Sequence, residues 1–410
     1  MEPSAATEIA KHTLQVFGII IVAGLACGLL ATRLRVPDVA VLLIAGMLLG
    51  PGGADLIRVR ADSALNQMIL IFGSSYILFD GGASLRLAVL KQTWITIGVI
   101  ATIGVLITGA ITALAAHLFL GLPVAVALLL GAVIASTDPA TLVPVFRQIK
   151  IKERVAQTVM SESAFNDATG AILTFTLLAV ITGSGEFSVG AALKDLFWQS
   201  LIGIGAGVLL GYAAAFVIAH ERYDFLVEYA PLVTLMAVMG AYLAADNLQA
   251  SGFMAVFVFG IVLGNKDVFG FRMEDAEAKQ LDDFVLITAF VMRVFIFVLL
   301  GSQVDFALIR EHWAGALAVV AVFMLVARPV TVFACALPDR RARWTFKEML
   351  FMCWTRETGV IPGALAGMLV GMNAPGAKLI ASVTFIAILL TILVQATTTR
   401  WLAKKLDLLV

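Results

Sequence analysis

Residues 128–146 read LLLGAVIASTDPATLVPVF. An apolar run that would make most of a membrane-crossing helix is interrupted by Ser136, Thr137 and Asp138, and then by Pro139. Proline removes a backbone donor and disfavours helix at the residue before it, so the chain is expected to unwind around 136–138. Irregular backbone at membrane depth is tolerated only where it is buried in protein or lines a cavity. A plain proline kink satisfies the same pattern, but the polar triplet ahead of the proline favours a site.

The rest of the chain supplies the membrane context. Of its 410 residues 61% are hydrophobic and 14% charged, against about 25% charged in soluble domains. Apolar runs of 18 or more residues recur from end to end, which reads as an all-α polytopic membrane protein. A β-barrel would instead show segments of about ten residues with alternating polarity. Thirteen segments are expected, at 13–32, 38–50, 64–83, 93–119, 123–147, 155–183, 197–219, 228–246, 251–265, 280–302, 313–336, 346–371 and 376–399. Nineteen of the 28 basic residues fall in connections on one side or at the C-terminus, and six fall on the other. The positive-inside rule then places the N-terminus outside and the C-terminus in the cytoplasm. The remaining three, Arg293, Arg328 and Arg356, lie inside expected spans.

Other features narrow the partners. The charges balance at 28 basic and 28 acidic, so nothing points to nucleic acid. Cys27, Cys335 and Cys353 lie in apolar segments and imply no disulfide framework. The four histidines are scattered near segment ends and make no metal cluster. The N-terminus lacks the basic region of a signal peptide, so the first helix is expected to be retained. No soluble regulatory domain is visible. No G-x-S-x-G, H-E-x-x-H or Ser/His constellation supports a membrane enzyme, and no cofactor is called for.

A second interruption answers the first. Residues 354–371 read WTRETGVIPGALAGMLVG, with Thr355, Arg356, Glu357 and Thr358 ahead of a glycine and a proline. Thr355 follows Thr137 by 218 residues. Interrupted helices at corresponding positions of two halves are the sequence pointer to a secondary transporter built from inverted repeats. The repeats would span about 13–183 and 228–399, with 197–219 as linker helix.

Between the two interruptions, residues 161–170 read SESAFNDATG. On a helix Ser163 and Asp167 are i,i+4 neighbours, as are Glu162 and Asn166, so the four make one polar face. Ionisable groups at membrane depth cost at least ~2.5–3.5 kcal/mol and face a partner or a water-filled cavity. Burial raises a carboxylate's pKa, while a cation or oxygen ligands lower it, so Asp167 can hold a proton or a small hard cation. A structural hydrogen-bond network between helices is the competing reading. Two carboxylates within six residues fit it poorly. Asp80 and Arg293 are close enough to segment ends to snorkel, and Asp246 reads as an interfacial carboxylate.

At these residues the chain resembles monovalent cation:proton antiporter family 1, the NhaP-like sodium/proton exchangers. The motifs are ASTDPATLVPVF (135–146), SESAFNDATG, ILFDGG (77–82), VLLGSQVDF (298–306) and VARPVTVF (326–333), in order along essentially the whole chain. The resemblance implies a thirteen-helix sodium/proton antiporter fold with two broken crossing helices. It also implies a homodimer, a dimerisation domain and a moving core, the core drawn here at about 64–183 and 280–399. Asp167 would be the ion- and proton-binding carboxylate, with Thr137 (by its carbonyl), Ser163 and Glu162 completing a site for transported Na⁺. Asp80 would sit near that site, where the family often has an acidic residue, frequently glutamate. Asn166 would mark the electroneutral branch, Glu162 would be clamped by Arg328, and Asp138 and Arg356 would neutralise opposed half-helix ends. The chain departs from the family's Leu-Arg-Gly-Ala type run in segment twelve, where it carries an added Glu357.

The expected activity is exchange of Na⁺ or Li⁺ for H⁺ across the plasma (inner) membrane, electroneutral and by alternating access. One proton and one cation would compete for Asp167. K⁺/H⁺ exchange uses the same ligand types and stays open. A proton-uncoupled cation channel is the rival of another class, though no ligand ring or repeated filter motif accompanies it.

Overall fold

The structure, a computed structural model, describes residues 5–34, 36–137, 146, 151–183, 189–219 and 228–409. Among them every regular element is a helix, apart from one isolated bridge between Ile151 and Leu409. The helices are α1 (Ala5–Leu34), α2 (Asp38–Leu49), α3 (Ala64–Ala83), α4 (87–120), α5 (Val124–Ala135), α6 (Glu153–Ile181) and α7 (Val189–Ala219). They continue with α8 (Ala230–Asn247), α9 (Gly252–Gly264), α10 (Asp275–Ser302), α11 (Phe306–Ala336), α12 (Phe346–Trp354), α13 (Val360–Gly371) and α14 (Ala377–Lys405). Eight described helices are long and apolar enough to cross a membrane, and α2, α5, α9 and α13 are shorter apolar helices.

α10 and α11 start earlier than hydropathy alone marks them, where polar caps extend them past the apolar run. α11 begins at Phe306 rather than near 313, where the Asp305 carboxylate accepts from the Leu308 N–H at 3.0 Å. α10 begins at Asp275 rather than near 280, with Glu274 and Glu277 forming a capping box.

Packing sorts the helices into two groups. α9 packs broadly on α7, α3 and α8, and α10 on α2, α3 and α1. In the other group α5 packs on α4 and α6, α11 on α4 and α14, and α13 on α14. α3 and α10, placed with the core elements by the sequence reading, thus find their most extensive neighbours among α2 and α9. The reason is close backbone approach through small residues, the usual driver of helix association in lipid. Cβ atoms added at Gly260 and Gly264 of α9 would strike the carbonyl oxygens of Phe79 and Ala83 on α3. Gly46 of α2 and Gly50 just past its end meet backbone of α10 at Val298 and Ser302 in the same way.

This packing is testable. Gly260→Val must push α3 away from α9 and is expected to destabilise by about 1–3 kcal/mol, the range for overpacking. Its melting temperature in detergent should fall, whereas Gly240→Val, whose Cβ would meet nothing within 4 Å, should melt like the parent.

Among the described residues three helices carry a π-helical stretch: Ile100–Gly104 in α4, Phe323–Ala327 in α11 and Thr391–Ala396 in α14. Such wider turns collect at functional positions in helices, and all three here border the region described next.

Candidate functional site

α6 is buried along most of its middle, polar residues included. Glu162, Ser163, Asn166 and Asp167 are each no more than 2% exposed. A helix end seats against them. α5 stops at Ala135, and Ser136 turns to extended backbone (φ −79°, ψ 156°), followed by buried Thr137. Glycines permit the approach: Gly131 of α5 lies against the Gly109 backbone of α4, and a Cβ at Gly170 of α6 would come within 3.0 Å of the Ser136 Cβ.

Thr137 is then held on two sides by α6. Its N–H donates to Asn166 Oδ1 at 3.0 Å, Asn166 Nδ2 donates to its hydroxyl at 2.8 Å, and that hydroxyl pairs with the Ser163 hydroxyl at 2.8 Å. Asn166 therefore supplies an acceptor and a donor that splice unwound backbone onto the neighbouring helix. Asp138 and Pro139 lie outside the described residues.

The second interruption is seen in full. α12 ends at Trp354, residues 355–359 are not helical, and α13 starts at Val360. Thr355, Arg356, Glu357 and Thr358 are all buried. The Thr358 N–H, left over by the break, donates to the Thr391 hydroxyl at 3.1 Å, which lies in the π-helical stretch of α14.

Arg356 joins the two breaks. Its guanidinium donates to the carbonyl of Ala135, the last residue of α5, and to the Thr108 hydroxyl at 3.1 Å, and it stacks over the Phe323 ring at 5.3 Å. A cation there complements the negative end of the α5 dipole. Thr108 in turn pairs with Thr331 at 2.8 Å, which fixes α4 to α11 beside the guanidinium.

Glu162 and Arg328 form a two-pronged ion pair, with Nη1–Oε1 at 2.5 Å and Nη2–Oε2 at 2.8 Å. The Arg328 Nε donates to the Met352 carbonyl at 3.0 Å. Both side chains are buried. The fork geometry of arginine and carboxylate gives both oxygens a partner.

The sequence-marked residues thus separate. Thr137, Ser163, Asn166 and Asp167 sit where the end of α5 meets α6. Glu162 with Arg328, and Arg356 with the Ala135 carbonyl, brace that junction. Glu357 is fully buried at the second break. Asp80 is half-buried in the last turn of another helix, α3, which packs on both α6 and α13. The threonines Thr108, Thr331 and Thr391 belong to the junction as well, and only their burial in apolar helices hints at it in the sequence.

Removing the splice has a defined expectation. Asn166→Ala leaves the buried Thr137 N–H without its acceptor, at about 1–3 kcal/mol. The melting temperature should fall accordingly, and an unchanged one would contradict the splice.

The profile of the family described as sodium/hydrogen exchanger, transmembrane, matches residues 18–405. The Na⁺/H⁺ antiporter 1 of Methanocaldococcus jannaschii is 32% identical over 95% of this chain and 94% of its own length. The K⁺/H⁺ antiporter NhaP of Alkalimonas amylolytica is 29% identical over 96% of this chain and 67% of its own. The solved structure of the sodium proton antiporter MjNhaP1 from Methanocaldococcus jannaschii at pH 8 superimposes with a TM-score of 0.84 at 30% identity, covering 96% of this chain and 99% of that one. The buried junction of two broken helices thus stands within a chain that belongs to the transmembrane sodium/hydrogen exchanger family.

Proposed function

We propose that this chain exchanges Na⁺ or Li⁺ for H⁺, one for one, with both ions competing for Asp167. The observation that carries this reading is the division of the two buried acidic groups on α6. Glu162 is fixed by Arg328, whereas Asp167 is buried one helical turn along α6 from Ser163, whose hydroxyl meets that of Thr137 at the unwound end of α5. Carboxylate, hydroxyl and carbonyl oxygens suit a small hard monovalent cation. Bound cation or bound proton each neutralise Asp167, and only a neutral site crosses a low-dielectric core readily, since a bare charge there is costly. That restriction couples the two fluxes and makes the cycle electroneutral.

In this reading Asn166 holds the place where a second carboxylate would add a charge to the cycle. The group formed by α4–α6 and α11–α14 carries the site and moves against the group formed by α1–α3 and α7–α10, which dimerises. The protein resides in the plasma (inner) membrane, N-terminus outside and C-terminus cytoplasmic, and serves pH and cation homeostasis. The relative from Alkalimonas amylolytica, named as a K⁺/H⁺ antiporter, keeps K⁺ as the alternative substrate.

The test is purified protein in proteoliposomes holding a pH dye, with Na⁺, Li⁺ or K⁺ added outside at clamped voltage. Proton movement is expected with Na⁺ and Li⁺ and should not change with voltage. A response to K⁺ alone would replace the substrate. Cation flux without proton movement would replace the antiporter with a channel.

A further inference from the structure

One end of the molecule carries basic residues that the transport site does not use. They lie on the connection after α11 and on the last turns of α14. On α14 the outward face passes from Leu393 and Val394 through Thr397 to Trp401, and then to Lys404 and Lys405, all exposed. On α11 it passes from Leu325, Val326 and Val330 to Leu337, and then to Arg340, Arg341 and Arg343, again all exposed. Each stripe runs from aliphatic side chains through a large side chain to cations. That is the order of groups on a helix leaving hydrocarbon for the headgroup layer.

The two stripes end side by side. Lys347 Nζ bonds Asp407 Oδ2 at 2.6 Å, and Leu402, Phe333 and Trp344 share one apolar cluster beneath. Lys405 Nζ lies 4.9 Å from the Trp401 ring centre. The nearby carboxylates are already engaged. Burial pushes the Asp339 carboxyl up, but the Thr96 hydroxyl and the Ala342 and Arg341 N–H groups outweigh it and hold it below its ordinary value. Glu348 is taken by Arg154, and Asp407 by Lys347. Six cations therefore face outward around Trp401, which is 61% exposed, and Phe346, which is 65% exposed. A merely solvated charged face would not present two large aromatic side chains.

We propose that this face is a docking site for anionic phospholipid, with Arg340, Arg341, Arg343, Arg400, Lys404 and Lys405 taking the headgroup phosphates and Trp401 and Phe346 the glycerol and upper acyl region. Polybasic segments beside a membrane gain about 1 kcal/mol per Lys or Arg at an anionic surface, roughly a fivefold enrichment for each side chain that reaches the phosphate plane. The site stands on the helix group that carries Asp167, so lipid composition acts on that group directly.

The experiment is Trp401 fluorescence in vesicles of phosphatidylcholine and phosphatidylglycerol, with bromine on the acyl chains of one lipid or the other. The Trp401 signal is the parent minus Trp401→Phe. Brominated phosphatidylglycerol should quench several-fold more efficiently than brominated phosphatidylcholine at equal content. The Arg400→Gln, Lys404→Gln, Lys405→Gln triple variant should lose that excess, while Lys404→Arg, Lys405→Arg should keep it. Each variant is first required to melt in detergent like the parent. Added inorganic phosphate should leave the excess in place. Equal quenching by both lipids overturns the proposal, and so does relief by inorganic phosphate, which would mark a site for free anions.

Discussion

Asp167→Asn is expected to abolish proton movement under every cation gradient while the protein folds and melts normally. The asparagine matches the aspartate in volume, and the hydroxyls of Ser163 and Thr137 remain in place. What disappears is the charge. A cation about 4 Å from a carboxylate gains about 4 kcal/mol at an effective dielectric of 20, so occupancy should fall by about three orders of magnitude. The variant also removes a buried anion, so its melting temperature in detergent should stay level or rise. Parent-like exchange would move the site away from Asp167. A collapsed melting temperature would recast Asp167 as a structural group.

Arg328→Ala is expected to fail in folding before it fails in transport. The substitution strands Glu162, which is 2% exposed, and leaves the Met352 carbonyl without the Arg328 Nε. Breaking a buried pair from one side costs about 3–5 kcal/mol, a large part of the 5–15 kcal/mol that ordinarily separates folded from unfolded protein. Low yield and a strongly reduced melting temperature should follow. The pair Arg328→Met with Glu162→Leu removes both charges together and should recover most of the loss, since apolar replacements of buried ion pairs are often neutral. An Arg328→Ala protein that melts like the parent would show that the pair is not a brace.

Much of this was legible in the sequence because it depends on local pattern. Apolar length marks the helices, and proline or glycine beside polar clusters marks the two interruptions. Four polar residues over six positions mark α6. The pairing partners are less legible, because they belong to tertiary contacts. Nothing local says that Arg356 reaches the Ala135 carbonyl 221 residues away, or that Thr108 meets Thr331 across 223 residues. Asn166 reads as a charge that is missing, while the structure uses both ends of its amide to hold Thr137. The G-x-x-x-G spacings at Gly46/Gly50, Gly207/Gly211 and Gly260/Gly264 announce close helix contact. They do not name the partner helix. The π-helical stretches have no signature in composition, because they arise where helices adjust to one another.

The central claim is competition at a single carboxylate, and the pH dependence of the apparent KM for Na⁺ tests it most directly. In proteoliposomes at clamped voltage, proton and Na⁺ exclude each other from Asp167. On the acid side of the optimum the apparent KM should therefore rise by about tenfold for each pH unit, one proton displacing one cation, with the maximal rate little changed. An apparent KM that stays constant across that range would mean that cation and proton occupy different groups, and would contradict the account.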